Sequence, residues 1–132
     1  MKTLFLLCSE GAARTESGQF ILHKIIERIV TKDVPSEEAP LTLPALSVSF
    51  EIRDAELSQA RQVQVQMTHR ESAKSLFDQG FTVEPTTDPA QKISGLLNFH
   101  LFPIKALGHY EVRVLVDGQE AAANDFVVVQ QA

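Results

Sequence analysis

Four histidines, one cysteine and two close acidic pairs are the side chains of this 132-residue chain with the most chemistry to offer. The histidines are His23, His69, His100 and His109. Metal or general-base chemistry needs such groups at short spacing with partners. His23 and Glu27 stand four apart, but the H-E-x-x-H pattern of a zinc helix is missing. His100 and His109 flank the connection from Pro103 to Gly108. A two-histidine metal site, or a small histidine-dependent hydrolase, needs these two to converge with a carboxylate. Their default reading is solvated or hydrogen-bonded strand histidines. His69-Arg70-Glu71 reads as a charged, solvent-facing strand end, and Glu37-Glu38 and Asp54-Ala-Glu56 as solvated pairs in polar connections. There is no G-x-S-x-G elbow, no Walker-type loop and no G-x-G-x-x-G. The residues therefore name no catalytic, cofactor-binding or metal position, and the reading leans away from an enzyme.

Cys8 could serve as a nucleophile or a lipid-attachment site, but a small core residue at the end of a first strand is the simpler reading. A lone cysteine makes no internal disulfide, so nothing argues for an oxidising compartment. Met1 to Cys8 superficially resembles a lipoprotein signal, yet its apolar run is only Leu4 to Leu7, short of the roughly seven residues such a signal needs. A mature cytoplasmic start is expected. No stretch approaches the about 20 apolar residues of a membrane-spanning helix. The net charge of −5 comes without any Lys/Arg cluster, so the footprint of a nucleic-acid binder is missing. With no Trp and one Tyr, an aromatic cage or stacking platform is missing too. The partners expected are a second copy or another protein, with no nucleic acid and no membrane.

The elements that would position these groups are mostly strands. Residues 3–8 form an apolar run of strand length, and the polar, two-glycine stretch 9–19 reads as a loop. Residues 33–44 carry three prolines and read as an extended link outside any sheet. Leu46, Val48, Phe50 and Ile52 alternate with Ser47, Ser49, Glu51 and Arg53, which predicts a strand with one wet face. Residues 54–60 read as turn-like or as a single helical turn, and 61–69 as a second alternating strand. Residues 70–92 are irregular, with short strands at 75–77 and 81–83. Residues 93–102, apolar in part on both faces, predict a central strand. Phe77, Phe81 and Phe102 lie near loops and either plug the sandwich ends or form an exposed patch. Residues 109–117 and 121–129 form a closing hairpin around Asp117-Gly118. A three-residue loop, Asp117 to Gln119, pairs Val114 with Ala122 and Tyr110 with Phe126; a two-residue turn carried through would put Asp125 on the core face. The first register is expected, because a one-residue slip flips every side chain.

The contested segment is Phe20 to Thr31. Ile21, Leu22, Ile25, Ile26, Ile29 and Val30 share one side, and His23, Lys24, Glu27 and Arg28 the other. That is amphipathic helix spacing, with Ser17 available as a cap. The content of β-branched and aromatic residues argues for strand.

The order of features resembles an uncharacterised bacterial family of short β-sandwich proteins, a domain of unknown function. The residues that carry the likeness are Leu4 to Cys8, the loop to Gly18, Phe20 to Val30, Pro40 and Pro44, Leu101-Phe-Pro103, Gly108-x-Tyr110-Glu-Val112 and Val116-Asp-Gly118. The resemblance implies a β-sandwich and tips residues 20–30 toward strand; it carries no site residues. The resulting expectation is one domain over 1–132: an all-β, immunoglobulin-like antiparallel β-sandwich. Its alternative is an α+β fold with residues 18–31 as a helix on an antiparallel sheet. The function expected is a non-enzymatic interaction or structural module, oligomeric through Phe20–Val30. One alternative is a small-molecule-sensing domain that binds between its sheets. The other is the hydrolase described above.

Overall fold

A computed structural model describes all residues, Met1–Ala132, and contains no helix. Its nine strands are β1 (Lys2–Arg14), β2 (Phe20–Ile25), β3 (Arg28–Thr31), β4 (Leu41–Arg53), β5 (Arg61–His69), β6 (Lys74–Val83), β7 (Ile93–Ile104), β8 (Gly108–Val116) and β9 (Gln119–Gln130). They form two sheets, one in the order β2-β1-β4-β7 and the other β3-β9-β8-β5-β6. All pairs are antiparallel except β3 with β9, which run parallel. The sandwich expected from the sequence is therefore present, with one sheet mixed.

Period-two alternation builds the core. Tyr110, Val112, Val114 and Val116 of β8 are at most 2% exposed. They sit opposite His69, Met67, Val65 and Val63 of β5. From the first sheet come Leu6 and Cys8 of β1 and Leu46, Val48, Phe50 and Ile52 of β4, all buried. Burial pushes the Cys8 thiol up to about 12, the behaviour of a core residue rather than a nucleophile. Phe77, Phe99 and Phe102 meet edge-on or tilted, with Phe77 and Phe99 centroids 4.6 Å apart. They join the outermost strands β6 and β7, so the phenylalanines seal a side of the sandwich.

The hairpin register is the expected one, reached by a different route. Val114 faces Ala122 and Tyr110 faces Phe126, but Val116 pairs with Gln119 across a two-residue turn. Asp117 and Gly118 have φ of 49° and 82°, as a primed turn requires. A register shift follows between Val114 and Leu115, so a bulge rather than a longer loop brings Phe126 and Val128 inward.

Four expectations are corrected. Phe20–Val30 is neither a helix nor one strand. The chain crosses between sheets there: the Ile26 N–H donates to the Cys8 carbonyl of the first sheet at 2.8 Å, and the Glu27 carbonyl accepts from the Val127 N–H of the second at 3.2 Å. Leu22 is half-buried, Ile26 buried, and Ile29 packs on the core. These inward residues fall four and three apart, so two short strands joined at a crossing mimic helical spacing. Next, the supposedly wet face of β4 is covered: Ser47, Ser49 and Glu51 are 1%, 0% and 8% exposed. β4 lies between β1 and β7, and Leu7 and Leu96 flank Ser49 in register, so the short serines lie below their neighbours, while Glu51 is covered by its pairs with Arg53 and Lys92. The Ser49 hydroxyl has no hydrogen-bond partner. Thirdly, Leu41 to Pro44 belongs to β4, in the overhang where β7 alone pairs with it; proline is tolerated at such an edge. Finally, β7 is an edge strand and not a central one. Leu101, at φ 53° and 71% exposed, interrupts it. The inward set changes there from Ile93, Leu97 and Phe99 to Phe102 and Ile104, which made both faces read as apolar.

Candidate functional site

β5 carries its inward alternation one residue further than its aliphatic run, and that residue is His69. Its ring enters the end of the core and lies 5.0 Å from Tyr110. Tyr110 in turn stacks on Phe126 at 5.2 Å and donates its hydroxyl to the Ala106 carbonyl at 2.6 Å. Both ring nitrogens of His69 are engaged. Nε2 lies 2.8 Å from the Leu107 carbonyl oxygen, which can only accept, so Nε2 donates. Nδ1 then carries the lone pair of the neutral ring. It accepts from the Ser72 hydroxyl at 2.7 Å and from the Ser72 N–H at 3.3 Å.

Glu71 binds the same two loops together. Its carboxylate accepts from the His109 backbone N–H at 2.8 and 3.0 Å and from His109 Nδ1 at 2.8 Å. It also comes within 3.7 Å of His69 Nε2. The His109 backbone N–H first, then its side chain, hold the Glu71 carboxyl down at about 2, against an ordinary 4.5. Gly108 makes this approach possible. A Cβ there would lie 2.6 Å from Glu71 Oε2 and 2.8 Å from His69 Nε2, and its φ is +127°.

A carboxyl depressed in the folded state stabilises it above the unfolded pKa and stops doing so as pH falls through the folded one. The stability difference between the wild type and Glu71→Gln is therefore expected to be full above about pH 4.5 and to shrink as pH falls toward about 2. Urea titrations across that window measure it. A difference that stays constant down to about pH 2 refutes the ionic role of Glu71.

Beside His69 opens a cleft of about 410 Å³ at one end of the sandwich. Ser72, Lys74 and Leu76 form one wall, from the β5–β6 connection and β6; Phe102 and Lys105 form the other. Glu37, from the proline-rich link, pairs with Lys105 at 3.0 Å. Lys74 has no carboxylate within 4 Å.

His100 and His109 do not converge. His100 is exposed on β7 of one sheet and His109 lies on β8 of the other; the carboxylate beside His109 is Glu71. His23 is exposed on β2, and Glu37, Glu38, Asp54 and Glu56 are exposed as expected. The solvent-facing reading of His69 is wrong, since it is 7% exposed. Val63, Val65, Met67 and His69 share one parity, and extending that row by one step would have placed His69 inside. No group of three or more His, Cys, Asp or Glu side chains is arranged to hold a metal. His69 and Glu71 already spend their polar atoms on the two loops.

Fold and cleft together define a two-sheet β-sandwich protein with a part-apolar cleft at one end. The chain belongs to a family of unknown function, DUF6941, whose model matches residues 3–129. No curated protein matches it in sequence. Among solved structures it is similar to the Pseudomonas fluorescens alkylpurine DNA glycosylase AlkC bound to DNA containing an abasic site analogue. The TM-score is 0.48 at 11% identity, covering 94% of this chain. The chain spans 30% of the glycosylase's length. It is also similar to the sensor domain of the anti-sigma factor RsgI4 of Pseudobacteroides cellulosolvens, with a TM-score of 0.43 at 14% identity over 74% of this chain and 90% of that one. At such identities no residue and no activity carries over. The partner expectation is nonetheless corrected. The glycosylase structure is one bound to DNA, and at that likeness nothing about partners, nucleic acid included, carries over to this chain. Phe20–Val30, the segment meant to hold a protein partner, is divided between the two sheets.

Proposed function

We propose that the protein is a small-molecule-binding module whose ligand, a small amphipathic carboxylate, seats in the cleft beside His69. The observation that carries this reading is the composition of the cleft wall. Apolar surface from Phe102, Leu76 and Tyr110 lies beside Lys74, an ammonium with no carboxylate of its own, in about 410 Å³. Ligand sites combine apolar surface with a few fixed polar groups in volumes of about 300–1,000 Å³. The interaction-module reading keeps an exposed apolar set, Ile21, Ile25 and Val30, but divided between strands of different sheets rather than on one continuous face. Binding between the sheets is disfavoured as well, because that space is filled by a core of 23 buried residues.

Octanoate is a suitable probe, with one carboxylate and a short apolar tail. It is expected to raise the melting temperature with increasing concentration and to shift the Tyr110 ring resonances. Lys74→Met is expected to weaken binding about tenfold, the size of one charge-assisted contact. Unchanged Tyr110 resonances and melting temperature at millimolar octanoate refute the proposal.

A further inference from the structure

We propose that Ser72 is a nucleophile: His69 activates its hydroxyl for attack on the carbonyl carbon of an ester seated in the cleft. The inference rests on the cleft being the ligand site and names an acyl ester as what it takes. Nucleophilic serines are recognised by geometry, namely a base within hydrogen-bond reach and a third group that orients the base. Ser72 Oγ lies 2.7 Å from His69 Nδ1, and the Ser72 N–H, also directed at Nδ1, requires that atom to be the acceptor. The Leu107 carbonyl fixes the ring through Nε2. The Glu71 carboxylate, 3.7 Å from Nε2, is placed to stabilise the imidazolium that forms as the proton arrives. Leu107 and Glu71 are positioning groups. Ser72 is exposed and on the cleft wall, while the base behind it is buried. Ser72 Oγ also accepts from the Lys74 N–H at 3.3 Å, a turn contact that uses an oxygen lone pair and leaves the hydroxyl proton for Nδ1.

In the step itself, the Ser72 Oγ–carbon bond forms and the ester carbon–oxygen bond breaks. The hydroxyl proton passes to His69 Nδ1 and then to the departing alcohol oxygen. Water repeats the attack on the acyl-serine: it gives a proton to His69, which returns one to Ser72 Oγ, and the carboxylic acid leaves. That acid is the class of ligand proposed for the same cleft, so it would be the bound product.

The probe is p-nitrophenyl octanoate, followed by p-nitrophenolate release and by peptide mass spectrometry. Trypsin cuts after Arg70 and Lys74, leaving a peptide, Glu71-Ser-Ala-Lys74, in which Ser72 is the only hydroxyl. An octanoyl group on that peptide is expected in the wild type. Acylation of Lys74 would block the second cut and is thereby told apart. Ser72→Ala, at an exposed position, is expected to lose the adduct and at least tenfold in release rate; Ser72→Cys is expected to restore acylation. His69→Gln, checked for folding by circular dichroism, is expected to lose as much as Ser72→Ala. Octanoate binding measured on Ser72→Ala separates the two readings. Binding without any wild-type adduct overturns the role of Ser72 and leaves the cleft reading standing. Loss of both overturns both. Release unchanged in Ser72→Ala, or label confined to lysines, overturns the role of Ser72.

Discussion

Val114→Asp is expected to abolish cooperative folding. Val114 is 0% exposed in the middle of β8, with Val65 opposite on one side and Ala122 on the other. No cation is among these neighbours. A carboxylate placed there must stay charged without a partner or remain protonated far above its ordinary pKa. Either costs several kcal/mol, against a total stability of about 5–15 kcal/mol for a folded domain. Arg113, one residue earlier, faces outward with its guanidinium near Gln66, Glu111 and Glu120. Arg113→Ala is expected to cost about 0.5 kcal/mol or less. Guanidinium melts of the two variants make the comparison. Similar losses from both would mean that β8 is covered on its outer face as β4 is.

Gly108→Ala is the second large effect, about 3 kcal/mol. Its φ of +127° lies where L-residues are strained, and the added Cβ would stand 2.6 Å from Glu71 Oε2 and 2.8 Å from His69 Nε2. Backbone strain and overpacking each cost about 1–3 kcal/mol. Glu71 can swing outward, since about half of its side chain is exposed, but His69 is enclosed by Tyr110 and the Leu107 carbonyl. Relief through Glu71 gives up its bonds to His109; relief through His69 moves the ring away from Ser72. The variant is therefore expected to lose acyl-enzyme formation together with stability. A urea midpoint within error of the wild type would mean that the loop re-forms around the methyl group and that the contacts at Gly108 are not tight.

The strands with strict alternation were legible in the sequence because each has one inward row. β5, β8 and β9 are of this kind, and the pairing of Tyr110 with Phe126 followed from asking which register buries Phe126 instead of Asp125. Legibility failed where parity changes within a segment: at the Ile26 crossing, at Leu101 in β7, and at the bulge that shortens the last turn. Alternation alone records neither a bulge nor a change of sheet. The serine face of β4 failed for another reason. Polarity predicts contact with water only when neighbouring strands carry side chains no longer than its own. The site was the least legible part. His69, Glu71 and Ser72 were visible as a polar cluster, but their orientation depends on the Leu107 carbonyl and the His109 N–H. Backbone groups from a connection nearly forty residues away leave no mark in side-chain spacing.

The parallel pairing of β3 with β9 has a consequence for how the chain assembles. Synthesis delivers β1 and β2 early, and they can close as a hairpin as soon as both exist. β3 has no partner but β9, the last strand to be made. The first sheet is tied to the same strand: Thr3 donates to the Ala121 carbonyl and Asn124 to the Leu6 carbonyl, each across 118 positions. Closing such distant contacts is slow. Until β9 arrives, Ile29 and Val30 are an uncovered strand in a half-built sandwich, the kind of segment that chaperones hold. Completion of this fold is thus expected to await the β8–β9 hairpin, with protease resistance rising once β9 has joined.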